Sequence, residues 1–426
     1  MVKQLEVMLW GQRVGTLISP DDRRGRILFY FDKEFTRHGY DIAPLRAPLA
    51  SVAVQNGLPV YGEQERLYSG LPSFIADSLP DNWGDKVFGQ WLKAKGIRSR
   101  EVSALDRLAY IGRRGMGALE FRPPMAEDLE EPFSVEVSQL YELAQSALRQ
   151  AEAFHSAIDL PINSLMSVGT SAGGRRPKAI INYNAATGEC YSGQTAAPAA
   201  GFTPMIIKFD EQSDIPTTAI EHSFYLMAKD AKMRMQPCSL LNVNGCVHFL
   251  TERFDRTPSG KVHVQTLAAM CPEATSYEDL LTAAERLSVD KNEMQQLFLQ
   301  MVMNVACGNV DDHSKNFSFT MAQDSKWHVA PAYDFTFAVD VNAPHYINRH
   351  CLSVNGKVEE ITANDLIEVA RQHNLSHMDK VIERVLSISS QYRHYGIAAG
   401  VSEKWIQTIE KELATRAAIL TVSEPV

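Results

Sequence analysis

GNVDDHSKNFSF, residues 308–319, crowds two aspartates, a histidine, a lysine and two asparagines into one short loop, and APAYDFT, residues 330–336, adds an aspartate between aromatic residues. A polar cluster lying between apolar runs is either a solvated turn or a site. Spacing favours a site. Asp311 is placed to accept a proton, and Asn316, five residues on, offers an amide oxygen to a cation. Asp334 follows a strand hairpin and offers a carboxylate.

The rest of the chain bounds what such a site can serve. At 426 residues the sequence exceeds what one hydrophobic core usually supports, so two domains or subdomains are expected. A hydrophobic content of 45% and a charged content of 22% are ordinary for a globular protein. The formal net charge of −9 argues against a dedicated nucleic-acid binder. The start, MVKQLEVMLWGQRVG, lacks the basic-then-apolar pattern of a signal peptide, and no apolar run reaches the ~18 residues of a membrane span. Six scattered cysteines without a C-x-x-C pair read as buried free thiols, and the expected location is the cytoplasm.

Residues 3–31 alternate as short strands about a turn near Gly11–Gln12. SLPDNWGD opens an amphipathic helix to Lys95, with Val87, Phe88, Trp91 and Leu92 on one face, and a second helix spans about Val102–Ile111. PPMAEDLEEP, 123–132, has linker composition, and SVEVSQLYELAQSALRQAEA reads as a helix throughout. Strands follow on both sides of NAATGE, in TPMIIKFDE and in VHFLTERFDR, with a helix at about Ile220–Met233. From about Tyr277 onward the pattern is mostly helical. The expected fold class is α+β with two unlike lobes: a β-rich N-terminal subdomain over 1–122, a linker and helix over 123–165, a nucleotide-binding part over 166–276 and a helical lobe over 277–426.

SVGTSAGG, 167–174, holds three glycines and three hydroxyls before a strand, a composition that lets backbone N–H groups approach phosphate oxygens. It is neither a Walker A loop nor a G-x-G-x-x-G, so alone it reads equally well as a surface turn. Lys208 in MIIKFD is costly to bury unpaired; it either snorkels to solvent from an edge strand or carries nucleotide phosphates, steadied by a carboxylate such as Glu221. In the opening loop, phosphoryl-transfer chemistry assigns Asp311 as base, Asn316 and Asp334 as Mg²⁺ ligands and Lys315 as neutraliser of phosphoryl charge. His313 is expected to hold the loop by hydrogen bonds, and Asp312 to be solvated or to cap. Arg113, Arg114, Arg175 and Arg176 could meet DNA phosphates or a partner, or lie solvated.

SVGTSAGGRRPKA, IIKFD, TERFDR, DDHSKNFSF and PAYDFT, in this order, resemble the HipA family of bacterial serine/threonine kinases, toxins of toxin–antitoxin pairs. WGQRVGTL, SLPDNWGD and IGRRGMGALEF are similar to that family's accessory domain, so the resemblance spans nearly the whole chain. It implies a two-lobed, protein-kinase-like fold, ATP and Mg²⁺ as cofactors and a protein serine or threonine as acceptor. By position it assigns Asp311 as catalytic aspartate, Asn316 and Asp334 as metal ligands and Lys208 as phosphate-binding lysine. It places Ser167, Val168, Gly169, Thr170, Ser171, Glu252, Phe254, His313, Lys315 and Asn316 about the nucleotide, with Glu252 and Phe254 in the adenine-contacting segment. Ser167 matches an autophosphorylated serine, and the hydroxyl-rich loop here makes Thr170 and Ser171 competitors for that modification. The implied partner is a HipB-like helix-turn-helix antitoxin, through which DNA is met indirectly, and the implied substrate class is an aminoacyl-tRNA synthetase. Two alternatives remain open: a small-molecule phosphotransferase sharing the D-x-x-x-x-N loop, and a catalytically weak ATP-binding co-repressor.

Overall fold

The computed structural model describes residues 2–20, 26–37, 40–98, 102–125, 134–148, 176–192 and 198–421. The chain forms two compact units: Met1–Glu211 with Leu241–Gln265 and Met321–Lys326, and Gln212–Leu240 with Thr266–Thr320 and Trp327–Val426. The candidate glycine-loop residues Ser167, Val168, Gly169, Thr170 and Ser171, and Arg175, lie outside the described residues.

In the first unit an antiparallel sheet runs in the order β4-β3-β2-β1-β5, where β1 is Gln4–Leu9, β2 Gln12–Ile18, β3 Leu28–Phe31, β4 Val60–Tyr61 and β5 Leu119–Arg122. Trp10 and Gly11 form the two-residue turn between β1 and β2, both at positive φ (47° and 79°). Such turns match the twist of the strands but are unfavourable for a bulky residue. Tertiary contacts hold Trp10 there: its indole donates to the Lys261 carbonyl at 2.8 Å and meets Tyr40 edge-on at 5.0 Å. Leu5, Val7, Leu9, Val14, Phe29 and Phe121 fill the buried face.

The helix Asn82–Ala94 starts where Asp81 accepts the Gly84 amide, and it buries Trp83, Val87, Phe88, Trp91 and Leu92, the expected face. Helix Ala104–Ile111 carries a reciprocal Ser103–Asp106 capping box. Arg114, which follows it, is buried with its guanidinium 4.7 Å from the Tyr110 ring and bonded to the Tyr110 carbonyl. It therefore presents no charge to DNA.

A second sheet follows the order β10-β11-β9-β7-β8-β6, with β6 Ser134–Val135, β7 Lys178–Tyr183, β8 Cys190–Tyr191, β9 Thr203–Lys208, β10 Cys238–Val243 and β11 Cys246–Glu252. Here one expectation is corrected. Ser134–Val135 is not helical but pairs with Cys190–Tyr191, and the helix begins only at Val137. The six cysteines are free, as read, but only Cys190 and Cys307 are buried and Cys351 is exposed.

His263, in the first unit, is fully buried, and burial holds its imidazole down to about 4 from 6.5. Between those values the unfolded chain binds the more protons, so stability falls as pH falls from 6.5 to 4. The contribution is about 3 kcal/mol. Thermal melts from pH 7 to 4 are expected to fall steeply for the wild type and less steeply for His263→Gln; parallel curves would assign the acid sensitivity to other groups.

In the second unit the central helix Lys291–Cys307 is apolar on nearly every side and buries Leu297, Phe298, Leu299, Met301, Val302, Met303 and Val305. It packs against the helices Met378–Ser389 and Glu403–Thr421. Asp290 caps its start, accepting from the amides of Asn292 and Glu293, and Gly308 ends it in the left-handed region at φ 69°. A Cβ on Gly308 would lie 3.1 Å from both Arg416 and Val339, so glycine meets a steric demand as well as a backbone one. The chain leaves this helix directly into the loop at 309–317. Among the described residues no helix is long and apolar enough to cross a membrane.

Candidate active site

Lys208, Glu252 and Phe254 belong to the first unit. Lys208 ends β9, in register with Lys178 on one side and Phe249 on the other, and its ammonium lies 5.7 Å from the Phe249 ring. Lys178 is buried beside Asp81 at 3.5 Å, so of two neighbouring lysines it is Lys208 that is half-buried. Glu252 ends β11 and is half-buried like Phe254. Between and beyond them sit Arg253, Asp255 and Arg256, all buried. Asp255 accepts two bonds from Arg253 (2.8 and 2.7 Å), one from Arg256 (2.7 Å) and one from the Gly117 amide (2.8 Å). Arg256 also donates to the carbonyls of Gly115 and Gly117. TERFDR is thus bolted to the GRRGMG turn from within.

The opening loop belongs to the second unit. Its base candidate Asp311 is 67% exposed at the side chain, with His313 Nε2 at 3.8 Å from Oδ1. Asn316 is buried, and its Nδ2 donates to the Asp311 carbonyl at 2.7 Å. That bond commits the amide nitrogen inward and turns Oδ1 the other way, where it can serve as a ligand. Lys315 is exposed, while its carbonyl accepts from the Tyr333 hydroxyl at 2.7 Å. Tyr333 also meets Ser318 Oγ at 2.5 Å, which ties the APAYDFT segment to the loop. Asp334 is half-buried in the left-handed region at φ 51°, and the next residue, Phe335, is buried against Phe224 at 5.3 Å. Non-glycine residues in that region are uncommon and cluster at functional sites.

Two readings of this loop change. Asp312 is neither solvated nor a cap: it is fully buried, accepting the Tyr277 hydroxyl, His350 Nδ1 and the Cys351 amide, each at 2.7 Å. A buried carboxylate needs such donors to replace water. His313 contributes its backbone carbonyl, which accepts the Asn316 amide at 2.8 Å; its Nδ1 is buried with no hydrogen-bond partner among the described residues. Glu221 is buried in the helix Thr217–Asp230.

Sequence reasoning passed over Tyr277, Asn304, Asn309, His350 and Arg416, all linked to Asp312. Asn309 lies inside the opening loop itself, and Asn304 is a lone amide within the apolar helical run MVMNVAC. Tyr277 and His350 lie 35 and 38 residues away from Asp312 and carried none.

Family comparison settles the lineage. The family model for the HipA-like C-terminal domain matches residues 170–392, more than half of the chain, and that for the HipA N-terminal domain matches residues 5–122. This chain belongs to the HipA family. Among solved structures, the HipA of the Shewanella oneidensis MR-1 toxin–antitoxin system, in complex with HipB and operator DNA, superposes with a TM-score of 0.66 at 18% identity. The match covers 98% of this chain and 97% of that one, and it establishes a shared HipA α+β fold. The Helicobacter pylori proinflammatory kinase CtkA matches 51% of this chain and 88% of its own, with a TM-score of 0.35 at 15% identity, too low to bear on the fold. Comparison with curated proteins gave no match.

Proposed function

We propose that this HipA-family protein is an ATP- and Mg²⁺-dependent serine/threonine protein kinase acting as a cytoplasmic toxin. The observation that carries the reading is the bond from Asn316 to the Asp311 carbonyl, which leaves the Asp311 carboxylate exposed and the Asn316 oxygen available beside it. The residues fit the cation chemically: an amide oxygen and the Asp334 carboxylate are hard oxygen ligands, and Mg²⁺ characteristically takes few protein ligands. Among the described residues there is no cluster of three or more His, Cys, Asp or Glu that could hold a metal ion, so the two ligands named would have to be completed by phosphate oxygens and water.

When bound, Mg²⁺-ATP supplies the phosphoryl group and much of the charge neutralisation. Asp311 takes the proton from the acceptor hydroxyl, its exposure giving a protein side chain access. Lys315 and Lys208 offset phosphate charge, and Glu252 and Phe254 contact the adenine. Self-inactivation occurs by phosphorylation of Ser167, Thr170 or Ser171. The partner is a HipB-like antitoxin, a reading supported by the complex in which the Shewanella relative was solved; an aminoacyl-tRNA synthetase is the first substrate to assay.

Intact mass of the purified protein before and after Mg²⁺-ATP tests the reading. Phosphate is expected on the wild type, mapping to 167–171, and not on Asp311→Ala. Absence of phosphate on wild type, on extract proteins and already at purification would overturn it.

A further inference from the structure

We propose that a buried hydrogen-bonded chain, Asn309–Asn304–Tyr277–Asp312, with His350 and Arg416 at its far end, positions Asp311 and Asp334 as one unit. This rests on the kinase reading above. The chain is continuous and directed. Asn309 Nδ2 donates to Asn304 Oδ1 at 2.9 Å, Asn304 Nδ2 to the Tyr277 hydroxyl at 3.0 Å, and that hydroxyl to Asp312 at 2.7 Å. All four side chains are buried.

Each end reaches a different candidate catalytic element. Asp312 adjoins Asp311 in the backbone, and Asn309 Nδ2 also approaches the Asp334 carbonyl at 3.5 Å. Beyond Asp312, His350 Nδ1 donates to its carboxylate, and His350 Nε2 faces Arg416 at 3.4 Å. Arg416, on the helix Glu403–Thr421, also donates to the Val305 carbonyl near the end of the central helix. The Tyr277 phenol is held well above its usual range by burial and then by Asp312, so it remains a proton donor throughout the working range.

An ordinary core network would stabilise this unit without regard to the loop. This one instead spans the two segments whose relative placement phosphoryl transfer depends on, and misplacement of reacting groups costs rate more than binding. Tyr277, Asn304, Asn309, Asp312, His350 and Arg416 are positioning residues in this scheme.

Tyr277→Phe removes one hydroxyl and keeps the ring that packs on Phe317. The control is Tyr395→Phe, which removes the hydroxyl bonded to Asp230 elsewhere in the same unit. For Tyr277→Phe, kcat of phosphoryl transfer is expected to fall on the order of 10- to 100-fold with KM for ATP within about twofold, and Tyr395→Phe is expected to keep wild-type kcat. Wild-type kcat in Tyr277→Phe would overturn the positioning role and leave the kinase reading standing. Should the wild type transfer no phosphate, the kinase reading fails and hydrogen exchange decides the coupling. In Tyr277→Phe, amides of 309–317 and 332–338 are expected to exchange faster together, unlike those in Tyr395→Phe. Acceleration in one segment alone, or in neither, would overturn the proposal.

Discussion

Asp311→Asn is expected to lower phosphoryl transfer by about 10²- to 10⁴-fold, the usual worth of a positioned general base. The substitution is isosteric, and the carboxylate it removes is exposed, with His313 Nε2 no nearer than 3.8 Å, so the melting temperature should stay near that of the wild type. The loop's backbone is held from other sites. Asn316 grips the carbonyl of residue 311, Asp312 anchors the turn, and Tyr333 binds the Lys315 carbonyl. Rate and stability therefore separate at this position, and nucleotide binding should persist. Single-turnover transfer measured beside a thermal melt reads both. A variant with wild-type rate would remove Asp311 from the chemistry; one that is inactive because it has unfolded would contradict the loop's independence of this carboxylate.

The largest stability effect is expected at Asp255. Burial pushes its carboxyl up, but the guanidinium groups of Arg253 and Arg256, the Arg253 hydrogen bond and the Gly117 amide outweigh burial and hold it well below the usual carboxylate range. Asp255→Ala would leave two buried guanidinium groups without their shared counter-charge, a change that costs about 3–5 kcal/mol. The burden is already visible in the neighbours: burial and Arg253 bring Arg256 down to about 10, and burial and Arg256 bring Lys261 down to about 8. Because the folded carboxyl is depressed, its contribution is present above the unfolded value near 4 and is lost only in strong acid. Urea titration at neutral pH measures the loss, and a value under about 1 kcal/mol would show that the arginines find other partners. Under the proposed adenine-contacting role of Glu252 and Phe254, which alternate with these residues, the same variant should also weaken ATP binding.

The helical character of the second unit was legible from about Tyr277 onward because helix signals are local, although the individual helix starts were not read. Helix starts are marked by side chains that cap their own amides: Ser276 before Tyr277–Arg286, Asp290 before Lys291–Cys307 and Thr362 before Ala363–Gln372. The spacing from Asp311 to Asn316 is likewise a local fact, since the amide of one reaches the carbonyl of the other across a single turn. The errors share a cause. Val135 reads as the start of a helix because the residues after it are helical, yet its carbonyl accepts the Cys190 thiol 55 positions away and its backbone pairs there too.

The adjacent aspartates of VDDH show the division most plainly. Sequence alone placed a carboxylate and an amide five residues apart in one loop, with a second carboxylate following a hairpin, because residue identity and spacing are local facts. It could not tell which aspartate faces outward. Only the tertiary structure decided that, because a buried carboxylate must find donors to replace water, and for Asp312 these come from Tyr277, His350 and the Cys351 amide on distant parts of the chain. With Asp312 held inward, its neighbour Asp311 is left to solvent.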